Sequence, residues 1–241
     1  MNIVISQPMY FPWVGMFEQI RLCDVYIHYD DVQFSKGSFT NRVQIKTAGE
    51  EGFNWMTVPL KSLKLGAKIN EVEIDYKKEW RNQHLALLKQ AYKGAPFAAD
   101  MMTIVDELFA TQYVTIGDLS KRSMELIIKY FDLQQQKTFL VSSELPVQGS
   151  STQRVFDLVK LCKGTVYITG HGAKNYLDHQ LFEDNGIIVE YMDYRRMPYP
   201  QLHGPFNPHV SILDLIANTG KEGKNYIIST TKKWREFVHG S

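Results

Sequence analysis

Asn2-Ile-Val-Ile-Ser-Gln-Pro-Met-Tyr-Phe-Pro-Trp-Val-Gly-Met-Phe17 decides how the rest of the chain is read. Ile3, Val4 and Ile5 make a short unbroken apolar run, the pattern of a strand buried on both faces. Ser6, Gln7 and Pro8 end it at once. Pro12 presents a φ suited to a first helical turn, and Trp13, Phe17 and Ile20 follow at helical spacing. A strand that empties into a helix start is where α/β proteins place ligands, since unpaired N–H groups and the helix dipole favour anions there. The turn offers Gln7 as a hydrogen-bonding amide and Tyr10 and Trp13 as amphipathic rings. These suit a site and a tightly packed core turn equally well.

Outward from this stretch the same rhythm recurs. Val25-Tyr-Ile-His-Tyr29 reads as a second strand, and Thr138 to Ser142, Thr165 to Thr169 and Ile187 to Tyr191 as three more, with amphipathic helical patterns between most of them. Strands alternating with helices predict an α/β fold with one mostly parallel, Rossmann-like sheet flanked by helices. Asn54 to Pro59 and Ile69 to Ile74 read as two further strands, the latter from its alternation. Trp80, His84, Leu88 and Ala91, then Met101, Ile104, Val105 and Leu108, then Leu119, Met124, Ile127 and Phe131, follow helical periods. They predict a helical middle portion at about 79–133, its last helix capped by Asp118. With no internal repeat and no low-complexity linker, residues 1–241 read as a single domain.

Composition narrows the function classes. The chain has 241 residues, 44% of them apolar, and a formal net charge of +1. That balance gives no reason to expect a duplex nucleic-acid partner. No apolar run reaches membrane-spanning length and no signal peptide is evident, so membrane insertion is not expected and the location is expected to be cytoplasmic. Cys23 and Cys162 each close an apolar helical pattern. They read as reduced core residues without a nucleophilic role, and no metal centre is expected of them.

Three strand ends compete as sites: Ser6-Gln7-Pro8, Asp30-Asp31 and Gly170-His171-Gly172. In a parallel sheet they lie along one edge and can converge. His171 stands between glycines after a buried strand, where an imidazole is not expected to be core material, and it is the histidine best placed to act as a base. Asp30 or Asp31 suits an ammonium, a ribose hydroxyl or a hydrated magnesium ion, or merely a solvated turn. Lys174, Asn175 and Tyr176 follow at a helix entrance and suit phosphate. Ser142, Ser143 and Arg154 suit it too, unless the serines only end a strand. Arg195 and Arg196, within the aromatic and basic stretch from Tyr194 to His203, suit a ring and a phosphate or an ordinary protein surface. Neither the Rossmann glycine fingerprint nor the Walker lysine pattern occurs.

Several of these stretches carry a resemblance. Gln7-Pro-Met-Tyr-Phe-Pro-Trp-Val-Gly-Met-Phe17, Asp30-Asp-Val-Gln-Phe-Ser-Lys-Gly-Ser-Phe-Thr-Asn-Arg42, Trp80-Arg with His84, and Ser142-Ser-Glu-Leu145 resemble the WbqC-like family. So do Thr169-Gly-His-Gly-Ala-Lys-Asn-Tyr-Leu-Asp178, Tyr199-Pro-Gln201 and Leu213-Asp-Leu-Ile-Ala-Asn218. Many members have His-Gln-Pro where this chain has Ser6-Gln7-Pro8. The resemblance implies a role in surface-polysaccharide (O-antigen) biosynthesis, as a transferase attaching glycine or a related aminoacyl group to a nucleotide-linked amino sugar. On that reading His171, Asp31 and Gln7 are the expected catalytic residues. Tyr10, Trp13, Asp30, Asn41, Arg42, Lys174, Asn175, Tyr176, Arg195 and Arg196 are expected around the nucleotide-linked amino sugar and the aminoacyl donor. The acyl group would be activated by ATP or arrive on a preformed activated aminoacyl donor. An ATP-dependent ligase and a non-catalytic partner in a polysaccharide-assembly complex are the rival readings.

Overall fold

The structure is a computed structural model and describes residues 1–240, the side chain of His239 excepted. Its centre is β1 (Asn2–Ser6), which pairs in parallel with β2 (Val25–His28) on one side and β6 (Val166–Thr169) on the other. β5 (Thr138–Val141) extends the sheet beyond β2, and β7 (Ile188–Asp193) beyond β6, both in parallel. All five strands expected of the sheet therefore join it in parallel. A sixth, β8 (Thr230–Lys233), closes the far edge antiparallel to β7, giving the order β5-β2-β1-β6-β7-β8.

The unbroken apolar runs are explained by two cores. Val4, Tyr26, Ile168 and Met192 face one layer, built from α1 (Val14–Leu22), α2 (Trp80–Ala91), α3 (Ala98–Phe109), α4 (Ile116–Tyr130) and α7 (Ile212–Thr219). Their neighbours Ile3, Ile5, Val25, Ile27, Tyr167, Val189 and Tyr191 face the other. That layer holds α5 (Ser151–Leu161), α6 (His179–Asp184) and α8 (Trp234–His239). Successive residues of a strand point to opposite faces, so a sheet covered on both needs apolar side chains at every position.

The middle of the chain departs from expectation in detail. β4 (Phe53–Thr57) pairs with β3 (Arg42–Lys46) as a separate antiparallel hairpin, and β3 emerges where the sequence reads as the end of a polar loop. The strand expected over 69–74 is instead a short 3-10 turn, Ile69–Glu71, followed by the single bridges Leu60 to Ile74 and Glu73 to Thr115. Ile69, Val72 and Ile74 are buried all the same, so their spacing reports burial without a ladder. α4 is capped by Thr115, whose hydroxyl accepts from the Asp118 amide; Asp118 lies inside the first turn.

This helical portion grips the turn after β1. The Met9 carbonyl and the Phe11 amide both bond Ser123 Oγ of α4, and the Tyr10 amide donates to the Phe39 carbonyl. From the other side Ser211 Oγ donates to the Phe11 carbonyl and the Ile212 amide to that of Pro12. Phe11 is held at φ +42°, left-handed backbone that a bulky residue keeps only when its surroundings fix it.

Cys23 caps the end of α1, is 1% exposed, and burial pushes its thiol up to about 12. Cys162 ends α5 and is also shifted up by burial. The thiolate is the reactive form, so iodoacetamide at neutral pH is expected to leave Cys23 unmodified until urea unfolds the chain. Rapid labelling of Cys23 in the folded protein, read by mass spectrometry, would contradict its burial.

Candidate functional site

From β1 the chain first moves outward through β2 to β5, then returns to the other side of β1 through β6 and β7. The strand order thus reverses between β1 and β6. At such a point the loops leaving neighbouring strands diverge to opposite faces and open a crevice beyond their C-terminal ends. A cavity of about 570 Å³ lies there. Ile5 and Ser6 of β1 with Gln7 just beyond it, and Thr169 of β6 with Gly170 just beyond it, form its floor, Trp13, Met16 and Gln19 of the α1 segment stand on one side, and Ser151 and Val155 of α5 on the other.

Two properties mark its wall. The first is aromatic surface, since Trp13, Tyr29, Tyr176 and Tyr194 all line it. Trp13 and Tyr194 pack tilted, ring centres 4.9 Å apart, and Gln19 Nε2 donates to the Tyr194 hydroxyl at 2.6 Å. The Trp13 indole is laid flat by Gly15, where a Cβ would come within 2.2 Å of the ring. The second is neutrality. Every lining residue is apolar, aromatic, hydroxyl or amide, and none is an acid, a lysine, an arginine or a histidine.

Charge gathers behind this wall, where β2 and β5 end. Asp30 is 1% exposed; its carboxylate accepts from the Ser142 hydroxyl and from the amide and hydroxyl of Ser143, and pairs with Lys121 of α4 at 3.4 Å. Asp31 pairs with Arg154 of α5 and also accepts from Ser142. Burial would raise the Asp31 carboxyl, but Arg154 and Ser142 outweigh it and hold it below its ordinary range. Ser142 and Ser143 are therefore committed to aspartates and are not free phosphate ligands.

Gln7, Trp13 and Tyr176 are the expected site residues that line the crevice. Asp31 stands beside it, flanked in sequence by the lining residue Val32 and tied to α5 through Arg154. The others go elsewhere. Tyr10 is fully buried and bonds His84 Nδ1 at 3.1 Å, while His84 Nε2 donates to the Thr57 carbonyl; burial takes that imidazole down to about 4. Asn41 is spent on the Val58 carbonyl, and Arg42 lies over the Trp55 ring and donates to the Gly37 carbonyl. Lys174 and Asn175 are exposed, Lys174 with its ammonium 5.8 Å from the Phe237 ring centre. Arg195 and Arg196 are exposed beyond Tyr194, and Asp30 is the buried latch described above.

His171 differs most from expectation. Its neighbours Gly170, Gly172 and Ala173 line the crevice, but its own ring does not. Nε2 donates to the Met192 carbonyl at 2.7 Å, and the imidazole packs against Tyr194 and Phe237, centres 5.2 and 4.7 Å away. Sequence reasoning in turn missed Gln19, Tyr29 and Ser151. Tyr29 had a signal as the last residue of the strand reading, and Ser151 lay in the Gly149-Ser150-Ser151 turn just before a helix pattern.

Fold and crevice together define a doubly wound α/β protein with a ligand-sized cleft at its switch point. The chain belongs to the WbqC-like protein family, which it matches over residues 7–226. It is 32% identical over 230 residues to the uncharacterized protein Rv1507c of Mycobacterium tuberculosis, covering 94% of this chain and 97% of that one. No solved structure matches it. Among the described residues no helix is long and apolar enough to cross a membrane.

Proposed function

We propose that the protein is a transferase that attaches glycine or a related aminoacyl group to the amino group of a nucleotide-linked amino sugar, which it binds in the switch-point crevice. The observation that carries this reading is the wall: four aromatic rings with the amides Gln7 and Gln19 and no formal charge. Aromatic faces suit a nucleobase or a sugar ring, and neutral amides and hydroxyls read ring hydroxyls and exocyclic groups without the desolvation cost of a buried ion.

In the transfer, the sugar nitrogen attacks the carbonyl carbon of the activated donor and the bond to the donor's leaving group breaks. The nitrogen then gives up a proton to that leaving group or to water, since the wall supplies neither carboxylate nor imidazole. What the protein contributes on this reading is positioning and hydrogen-bond donors for the developing oxyanion. Gln7, at the end of β1, is the donor we assign to that role.

The test is mass spectrometry of nucleotide-linked amino sugars incubated with the protein and glycine, with ATP in one arm and preformed activated glycyl donors in another. A product heavier by one glycyl residue, lost on Gln7→Ala, is expected. ATP-dependent product alone would move the activity to the ligase class. No product in any arm, with no binding of the sugar nucleotides at millimolar concentration, would refute the reading.

A further inference from the structure

Aromatic faces serve a nucleobase and a sugar ring alike, so the polar groups beside them decide which end of the crevice takes which. Gln19 and Tyr194, both in the wall, form a pair of fixed polarity. Gln19 is 5% exposed, and its Nε2 donates to the Tyr194 hydroxyl at 2.6 Å. Since that oxygen accepts, its own hydrogen must go elsewhere, and none of the described residues accepts it. Gln19 Oε1 has no partner among them either, yet it is not one of the sealed, unpaired atoms. Burial pushes the Tyr194 hydroxyl up to about 12, so it keeps its proton at neutral pH and remains a donor. The pair thus sets one free donor beside one free acceptor.

Gly170 shows that this pair borders open space. It lines the crevice just beyond β6, in extended backbone that any residue adopts. A Cβ there would stand 3.4 Å from the Tyr194 hydroxyl oxygen and 3.5 Å from Gln19 Nε2. Apart from its chain neighbours it would meet no other heavy atom within 4 Å. Trp13 completes the corner, its ring centre 4.9 Å from that of Tyr194. Toward α5, the polar groups differ: Ser151, Tyr29 and Tyr176 line the crevice with hydroxyls. A hydroxyl rotates and can donate or accept, which suits the hydroxyls of a sugar. A nucleobase edge is different, because its ring atoms fix where it donates and where it accepts.

We infer that the corner of Trp13, Gln19 and Tyr194 is a nucleobase subsite, where a base lies on the indole and presents a carbonyl beside a ring N–H to the other two. The Tyr194 hydroxyl donates to the carbonyl, and Gln19 Oε1 accepts the ring N–H. Uracil, thymine and guanine carry this edge. A ring N–H brings one hydrogen to that one acceptor, whereas the amino group of adenine or cytosine would bring two. The hydrogen bond from Gln19 also makes the Tyr194 hydroxyl a better donor, as chains of hydrogen bonds polarise one another. The inference rests on the crevice as the nucleotide-sugar site, but not on the acyl transfer. It puts the amino sugar toward α5.

Uridine and inosine are the probes, since they present this edge on a small and a large base without phosphate. Titrated into the isotope-labelled protein, at least one is expected to shift the Gln19 side-chain amide and the Trp13 indole N–H together. Methylation of the same ring nitrogen, in 3-methyluridine or 1-methylinosine, keeps the stacking face and removes the donor. It is expected to weaken binding by roughly three- to tenfold, the range for one hydrogen bond. Tyr194→Phe is expected to do the same to the unmethylated nucleoside. Gly170→Ala is expected to weaken binding at least as much with thermal stability unchanged, because its methyl group fits the fold yet covers the pair. Where Tyr194→Phe unfolds, the methylated nucleosides and Gly170→Ala decide. Equal affinity for methylated and unmethylated nucleosides, or neither nucleoside moving the two signals at millimolar concentration, would overturn the subsite. Binding at this corner with no glycyl product in any assay would leave the subsite standing and count against the acyl transfer alone.

Discussion

Replacing Gly15 with alanine is expected to cost the crevice its indole wall and to lower affinity for an aromatic or sugar-ring ligand by roughly ten- to a hundredfold, the range for losing one stacked ring. A Cβ at this position would stand 2.2 to 2.5 Å from three atoms of the Trp13 ring, distances that no carbon pair tolerates. Gly15 lies in the first turn of α1, whose backbone is fixed by its helix, so the ring must yield. Moving it breaks the contacts with Tyr194 at 4.9 Å and His209 at 5.7 Å. Strain of this kind costs about 1–3 kcal/mol of stability. Urea unfolding reads that part, and calorimetric titration with a nucleotide-linked amino sugar reads the binding part. Trp13→Phe, which keeps a ring and relieves the crowding, should lose less affinity than Gly15→Ala. Equal affinity in the alanine variant and the unaltered protein would show that the indole takes no part in binding.

The second large effect concerns pH. Glu18 is 2% exposed and Asp214 is fully buried. Burial pushes Glu18 up to about 7, against the hydrogen bond from Ser229 and the charge of Arg21, and pushes Asp214 up to about 6. Tyr199, Tyr92 and Lys46 surround Asp214 and limit its shift. A carboxyl whose folded pKa exceeds its unfolded one binds its proton more tightly in the native state. Folding therefore gains stability from it below the unfolded value and loses that gain as pH rises through the folded value. Each carboxyl is thus expected to lower the unfolding free energy between about pH 4 and pH 7, by up to about 3 kcal/mol, while the buried imidazoles of His28 and His84, both taken down to about 4, raise it across much of the same window. Glu18→Gln should remove its share of the slope and leave the share that belongs to Asp214. Denaturant melts at intervals of pH provide the measurement. A Glu18→Gln protein whose stability follows pH as the unaltered protein's does would show that the Glu18 carboxylate is ionised without penalty.

Both expectations depend on which features sequence could reveal. The sheet was legible because Ile3 to Ile5, Tyr26 and Ile27, and Tyr167 and Ile168 are buried on both faces, and two-faced burial leaves an unbroken apolar signature. Gln7, Trp13 and Tyr176 were legible because the end of a buried strand and the start of a helix are sequence signals, and the switch-point rule turns them into a place. Tyr10 and Asn41 misled because polar side chains in a loop look like ligands when their partners, His84 and the Val58 carbonyl, lie far along the chain. The orientation of His171 was illegible for a related reason. Its hydrogen bond goes to Met192 on β7 and its ring packs on Phe237 of α8, and nothing local to a Gly-His-Gly turn encodes either. β3 and β8 escaped because they are short and carry charged residues, Arg42 and Lys46 in one and Lys232 and Lys233 in the other.

β8 lies beyond residue 226, where the family match ends, and its antiparallel pairing has a consequence for how copies of this protein meet. Without it β7 would offer the open amides and carbonyls of Ile188 to Asp193 to any passing strand, the starting point of sheet-to-sheet polymerisation. Thr230-Thr-Lys-Lys233 covers that row with a strand of four residues, and Lys232 turns back to Asp193 at 3.2 Å. Lys232 and Lys233 are exposed, so a second molecule approaching edge-on meets like charge and costly desolvation. The same strand that finishes the sheet makes its edge a poor template for a second copy.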